Sequence, residues 1–209
     1  MKKIAALFDL DGVLYHTEPE YDRFWGEICD EFMPDRREMI KAIKGTTLVD
    51  TFAIWFSGEN EWLRPEITRR MNEFEATMPF NPVPGVMEFI HRIKADGVIT
   101  AVVTSSNLIK MTNVYRSHPE FRGLFDAILT SEDFRASKPD PDCYLKAAAR
   151  LKLQPAECVV FEDSVKGLQS GRAAGMTVVG IGTSLTPEAL APLSDYQFPD
   201  FRNLDWNCL

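Results

Sequence analysis

Short apolar runs and longer amphipathic stretches alternate along most of the chain. The runs are Ile4 to Phe8, Val98 to Val103, Phe125 to Leu129, Cys158 to Phe161 and Thr177 to Ile181. They are rich in β-branched residues and continuously apolar rather than alternating, which suits strands covered on both faces, as in a parallel sheet. Between them lie segments with helical spacing. Val86 to Ala95 puts Val86, Phe89, Ile90 and Ile93 on one face and stops at Gly97. Pro141 to Leu151 carries Tyr144, Leu145, Ala148 and Leu151, with Asp140 as N-cap and Pro141 at the first helical position. Ser164 to Ala174 starts on a capping serine and ends at Gly175. Strands alternating with helices predict βαβ units and an α/β fold with a doubly wound parallel sheet.

Residues 15–81 break that alternation. They contain no strong strand, and four stretches look helical: Glu20 to Phe32, Asp35 to Ile43, Leu48 to Phe56, and Arg64 to Met78 with Pro65 near its start. The stretch runs into Pro79, Pro82, Pro84 and Gly85, a strong breaker cluster. The expected organisation is an α/β core from residues 1–14 and 82–209, with a small helical domain inserted over 15–81. Such an insertion can close over the carboxyl edge of the sheet, where ligands of open α/β sheets bind. Trp25, Trp55 and Phe56 are expected to form its core.

Composition narrows the classes. With 209 residues, 45% hydrophobic and 26% charged, the chain is ordinary for a folded domain and unlike a disordered one. It is long enough to fold without disulfides or a structural metal. Its 23 basic against 31 acidic residues give a net charge of −8, which argues against nucleic acid as a partner. A single phosphate needs only a few local cations, so that charge leaves small phosphorylated substrates open. Cys29, Cys143, Cys158 and Cys208 have neither CxxC nor zinc-finger spacing and read as reduced thiols of a cytoplasmic protein. No apolar run reaches the roughly 18–20 residues of a membrane span, and the run from Ile4 meets Asp9 too early for a signal peptide. No membrane partner is expected; the sequence leaves the oligomeric state open, with a monomer favoured only as a prior.

The polar residues that follow the apolar runs carry the chemistry. They are Asp9 and Asp11, then Thr104, Ser105 and Ser106, then Lys138 ahead of its helix, then Glu162 and Asp163. In a parallel sheet these edges lie side by side. Packed carboxylates raise one another's pKa unless a cation neutralises them. With no His or Cys among them, the oxygen donors suit Mg²⁺ better than zinc. Lys138 adds positive charge. The N–H groups after Thr104, towards Ser105 and Ser106, are expected to open a helix and so form an anion site. Such a set describes phosphoryl transfer. Two aspartates at i and i+2 can divide nucleophilic attack from proton transfer.

In this order the segments resemble the four motifs of the haloacid dehalogenase superfamily of phosphatases and phosphomutases. Asp9-x-Asp11-Gly12 matches the first, Thr104 the second, Lys138-Pro139 the third and Glu162-Asp163 the fourth. The wider strings Phe8-Asp9-Leu10-Asp11-Gly12-Val13-Leu14, Ser137-Lys138-Pro139-Asp140-Pro141 and Glu162-Asp163-Ser164-x-x-Gly167 resemble the branch of β-phosphoglucomutase and many sugar-phosphate phosphatases. That branch carries a small helical cap after the first motif. The resemblance implies that Asp9 is the nucleophile and Asp11 the general acid/base. It implies that Mg²⁺ is bound by Asp9, the main-chain carbonyl of Asp11 and Asp163, with Glu162 direct or through water. It implies that Thr104, Lys138 and the Ser105 N–H hold the phosphoryl group. Read by itself, Glu162 has a helix-cap acid as its lesser alternative.

Three other functions use related residues. A receiver-type signalling domain is about half this length, lacks the insertion, and places its acidic pair before rather than after the phosphorylated Asp. A dehalogenase needs neither Asp11 nor the Glu162-Asp163 pair. The mutases that the chain resembles carry a His four residues after the Thr equivalent to Thr17, where this chain has Tyr21. They also carry an Arg after the Lys-Gly pair of the cap, where this chain reads Lys44-Gly45-Thr46-Thr47-Leu48. That Arg would clamp a second phosphate. The expected function is therefore Mg²⁺-dependent hydrolysis of a small phosphorylated metabolite such as a sugar phosphate, with a hexose-phosphate mutase as the alternative. Tyr21, Arg23, Trp25, Lys44 and Thr47 are the candidates for selecting the substrate. His16, His91 and His118 are given no role.

Overall fold

A computed structural model describes residues 3–209. Six strands form one parallel sheet: β1 (Ala5–Phe8), β2 (Ile99–Val103), β3 (Ala127–Leu129), β4 (Cys158–Glu162), β5 (Thr177–Ile181) and β6 (Tyr196–Phe198). Their order is β3-β2-β1-β4-β5-β6. The first strand is central, with Phe8 opposite Val102 on one side and Phe161 on the other. The chain winds outward in both directions from β1, and the carboxyl end of that strand lies at the switch point where such sheets bind ligands.

The strands β1, β2, β4 and β5 are buried on both faces, which explains the continuous apolar runs. Successive side chains of a strand point to opposite faces. Ala6 and Phe8 join a cluster with Phe89, Phe161 and Phe201, while Ala5 and Leu7 join one with Val160, Tyr144 and Leu168. Phe8 stacks on Phe161 with centroids 4.8 Å apart. Burying each such side chain is worth about 1.5–3 kcal/mol.

Between β1 and β2 come α1 (Glu18–Phe32), α2 (Met39–Ala42), α3 (Leu48–Trp55) and α4 (Arg64–Thr77). Phe24, Trp25, Ile28, Phe56, Ile67 and Met71 form an apolar cluster of their own there. The remaining helices flank the sheet: α5 (Val86–Ala95), α6 (Leu108–Ser117), α7 (Phe121–Leu124), α8 (Asp142–Leu151), α9 (Val165–Ala173) and α10 (Pro187–Leu190). No helix among the described residues is long and apolar enough to cross a membrane.

Several elements differ from the sequence expectation. Asp35 to Ile43 is a 3₁₀ turn (Pro34–Arg36) followed by the single turn α2. Phe125 and Asp126 lie outside β3, and the Asp126 carboxylate accepts the Thr100 N–H at 2.8 Å. Pro141 precedes α8, although Asp140 still accepts the Asp142 N–H at 2.9 Å. The edge strand β6 was not expected, because Tyr196 and Gln197 are exposed and lack the apolar pattern.

Candidate active site

The residues at the carboxyl edge are held by their elements. Asp9 extends the ladder of β1, its N–H donating to the Phe161 carbonyl at 3.1 Å. The chain then turns at Gly12, whose φ of +71° favours glycine, and a Cβ there would sit 1.8 Å from Asp163 Oδ2. Glu162 ends β4, Asp163 follows it, and Ser164 caps α9 by accepting the Gly167 N–H at 3.1 Å. A Cβ on Gly167 would lie 2.0 Å from the Glu162 carboxyl carbon, so the glycine makes room for that carboxylate.

Asp9, Glu162 and Asp163 are all buried, and one carboxylate oxygen from each lies within 4.8 Å of the others. Lys138 joins two of them: its Nζ donates to Asp9 Oδ1 at 2.9 Å, Glu162 Oε1 at 2.6 Å and the Val103 carbonyl at 3.2 Å. Glu162 is further held by the Tyr144 hydroxyl at 2.7 Å and the Ser164 hydroxyl at 3.3 Å. Among the described residues Asp163 has no cation partner; the hydroxyls of Thr183 and Ser184 donate to it.

Burial pushes the Asp9 pKa up to about 7, outweighing the opposing pull of Lys138, with Glu162 and Asp11 adding to the rise. Burial also pushes Asp163 well above the usual carboxylate range, helped by the charges of Glu18 and Glu162. Burial would pull the Lys138 pKa down, but the Asp9 and Glu162 carboxylates outweigh it and hold the ammonium charged. Three desolvated carboxylates therefore lie together with one ammonium, which pairs with two of them. The surplus negative charge and the all-oxygen donor set fit a divalent cation.

Asp11 points elsewhere. Its Oδ1 accepts from the Thr17 hydroxyl at 2.5 Å, and its Oδ2 accepts from Ser106 at 3.1 Å and Lys110 Nζ at 2.5 Å. Lys110 was not anticipated. It is buried on the inner face of α6 with Met111 and Val114, and no motif marks it.

Thr104, Ser105 and Ser106 do not open a helix. Asn107 caps α6 by accepting the Lys110 N–H at 2.9 Å, so the three residues form a loop before it. Thr104 Oγ1 accepts the Ser106 N–H at 3.0 Å, and the Ser105 hydroxyl donates to the Gly45 carbonyl at 3.1 Å.

A cavity of about 360 Å³ lies over this edge. Asp9, Asp11, Thr104, Ser105, Lys110 and Asp163 line it from the sheet side. Tyr21, Trp25, Lys44, Thr47, Phe52 and Glu75 are among those that line it from the helices and loops between β1 and β2. Lys138 sits behind the lining, against Asp9. Arg23 does not reach the cavity; it is exposed and paired with Glu20 at 2.8 Å.

The comparisons with known proteins agree with this geometry. The family model for haloacid dehalogenase-like hydrolases matches residues 6–181. Hexitol phosphatase A of Escherichia coli is 32% identical over 186 residues, covering 87% of this chain and 84% of its own. The bifunctional riboflavin kinase/FMN phosphatase of Arabidopsis thaliana is 29% identical over 197 residues; the match covers 87% of this chain but only 49% of that enzyme. The crystal structure of CbbY from Rhodobacter sphaeroides in complex with phosphate superposes with a TM-score of 0.79 at 26% identity, covering 98% of this chain and 96% of that one. With a doubly wound sheet, an acidic edge at the ends of β1 and β4, and matches over most of its length, the chain belongs to the haloacid dehalogenase-like hydrolase family, on its branch of sugar-phosphate phosphatases and β-phosphoglucomutases.

Proposed function

We propose that this protein is a Mg²⁺-dependent phosphatase of small phosphorylated metabolites, sugar phosphates above all, working through an aspartyl-phosphate. The observation that carries this reading is the buried cluster of Asp9, Glu162 and Asp163, of which Asp9 and Asp163 line a cavity that Asp11 also lines. Asp9 attacks phosphorus through a carboxylate oxygen while the ester P–O bond breaks. Asp11 gives its proton to the departing oxygen. Water then attacks the same phosphorus, Asp11 takes its proton back, and the acyl-phosphate bond breaks to return Asp9 and release inorganic phosphate. Lys138 keeps positive charge beside the nucleophile, and Glu162 orients Lys138. Thr104 and Ser105 flank the phosphoryl position. Mg²⁺ held by Asp9, Asp163 and the Asp11 carbonyl would supply charge neutralisation between the nucleophile and the phosphoryl oxygens.

The cavity supports a monophosphate. Among the described residues lining it, the cations are Lys44 and Lys110. Lys44 is already paired with Glu18 at 2.6 Å and Asp22 at 3.1 Å, and Lys110 with Asp11. A second phosphate, which a mutase must grip, has no free partner there. Trp25, Phe52 and Met71 offer apolar faces, and Tyr21, Thr47 and Glu75 offer polar ones, which suits a hydroxylated carbon skeleton. Residues 15–81 act as a lid in this reading. Ser105 to the Gly45 carbonyl at 3.1 Å and Lys166 to the Ala42 carbonyl at 2.7 Å support a closed position.

The test is phosphate release from a panel of sugar phosphates, nucleotides and pyrophosphate, with Mg²⁺ or EDTA, for the parent and Asp9→Asn. Release that both EDTA and Asp9→Asn abolish supports the proposal. A folded parent that releases no phosphate but isomerises a hexose phosphate when primed by a bisphosphate overturns it.

A further inference from the structure

We propose that Lys110 is a positioning residue for Asp11, fixing the proton donor on the side of the cavity where the leaving group sits. The inference rests on the phosphatase reading and goes beyond the motif residues. Lys110 Nζ lies 2.5 Å from Asp11 Oδ2 and 4.5 Å from the centre of the Tyr21 ring. The Tyr21 hydroxyl donates to Glu75 Oε1 at 2.6 Å. A continuous line of contacts therefore runs from α4 (Glu75) through α1 (Tyr21) to α6 (Lys110) and the turn after β1 (Asp11).

An ammonium only 3% exposed is costly to bury, and Asp11 is its hydrogen-bonded carboxylate partner. That pairing limits where the Asp11 carboxylate can go. Oδ1 is tied to Thr17, at the entry to the inserted helices, and Oδ2 to Ser106 and Lys110, on the core. Thr17 and Ser106 are neutral donors; Lys110 is the charged one, and charge-assisted hydrogen bonds are the stronger kind. Lys110 also lines the cavity, so the same group borders the volume that a leaving group enters. Proton donation depends on such placement, because the donor must lie within hydrogen-bond reach of the departing oxygen.

The experiment separates positioning from substrate contact and from folding. kcat/KM is measured for 4-nitrophenyl phosphate and benzyl phosphate, two aryl-bearing monoesters, with Mg²⁺. 4-Nitrophenolate leaves as a stable anion, whereas the benzyl oxygen needs a proton as the P–O bond breaks. Lys110→Met is expected to lower kcat/KM for benzyl phosphate at least about tenfold more than for 4-nitrophenyl phosphate. Asp11→Asn is expected to show the same selectivity, and the double variant no further selective loss beyond Asp11→Asn. If Lys110→Met melts well below the parent, Lys110→Gln, which keeps an N–H donor, carries the same comparison with a smaller loss expected. Equal losses on both esters, no loss on either, or additive selectivity in the double variant overturn the inference while leaving the phosphatase reading intact. A folded parent that hydrolyses neither ester nor any member of the sugar-phosphate, nucleotide and pyrophosphate panel overturns the phosphatase reading, and the role of Lys110 falls with it.

Discussion

Lys138 Nζ lies 2.9 Å from Asp9 and 2.6 Å from Glu162, so one buried ammonium joins the acid after the first strand to the acid that ends the fourth. Removing one member of a buried ion pair leaves the other desolvated and uncompensated. Lys138→Ala should cost about 3–5 kcal/mol of stability, as well as activity, because two carboxylates lose the same partner. Urea unfolding of parent and variant at neutral pH measures this, and a loss under about 1 kcal/mol would contradict it.

Two glycines make a matched pair. Gly167→Ala places a Cβ against the Glu162 carboxylate and should displace it from Lys138, lowering kcat and stability together. Gly123 is exposed in α7, and a Cβ added there would meet nothing within 4 Å, so Gly123→Ala should be neutral or stabilising by up to about 1 kcal/mol. Melting temperatures and phosphate release for both variants test the contrast.

A cation bound only by the native acidic cluster stabilises the folded state by mass action. Mg²⁺ should therefore raise the melting temperature of the parent, and EDTA should reverse the rise. Asp163→Asn should remove most of that rise. Calorimetry across a Mg²⁺ titration reads it without any substrate, and an undiminished rise in Asp163→Asn would remove Asp163 from the metal site.

Burial raises the Glu75 pKa above its ordinary 4.5, against the opposing charge of Lys110. The folded state then binds a proton more tightly than the unfolded one. Its advantage is complete below the ordinary value and declines as the pH rises through the raised one. Glu75→Gln keeps an acceptor for the Tyr21 hydroxyl and removes the titration. It should melt higher than the parent at pH 8 and show no such gain at pH 4; a gain of equal size at both pH values would refute the assignment.

Much of the fold is legible in the sequence, because burial on both faces of the sheet writes itself as unbroken apolar runs. Thr177 to Ile181 has the same bounds in the structure as in the pattern, and so does the helix Val86 to Ala95. The acidic edge is legible because each of its residues follows such a run. What stays hidden depends on the third dimension. Strand β6 is an exposed edge with no apolar signature. The start of α6 at Leu108 turns on a side-chain cap by Asn107 rather than on periodicity. Lys110 looks like any helical lysine until Asp11, distant in sequence, is folded against it. Arg23 fails as a cavity residue because the exposed face of α1 carries it outward, while Tyr21 and Trp25 on the same helix face in.

The central place of β1 has a consequence for how the chain comes to life. Ala5 pairs with Ile99 and with Cys158, so β1 waits for neighbours made much later. Contacts of such long separation form slowly, since loop closure is costly before they reward it. Asp9 is aligned by the Phe161 carbonyl and by Lys138, both from the second half of the chain. In the proposed mechanism, a nascent chain that stops before Phe161 thus carries its nucleophile without the strand partner that aligns it.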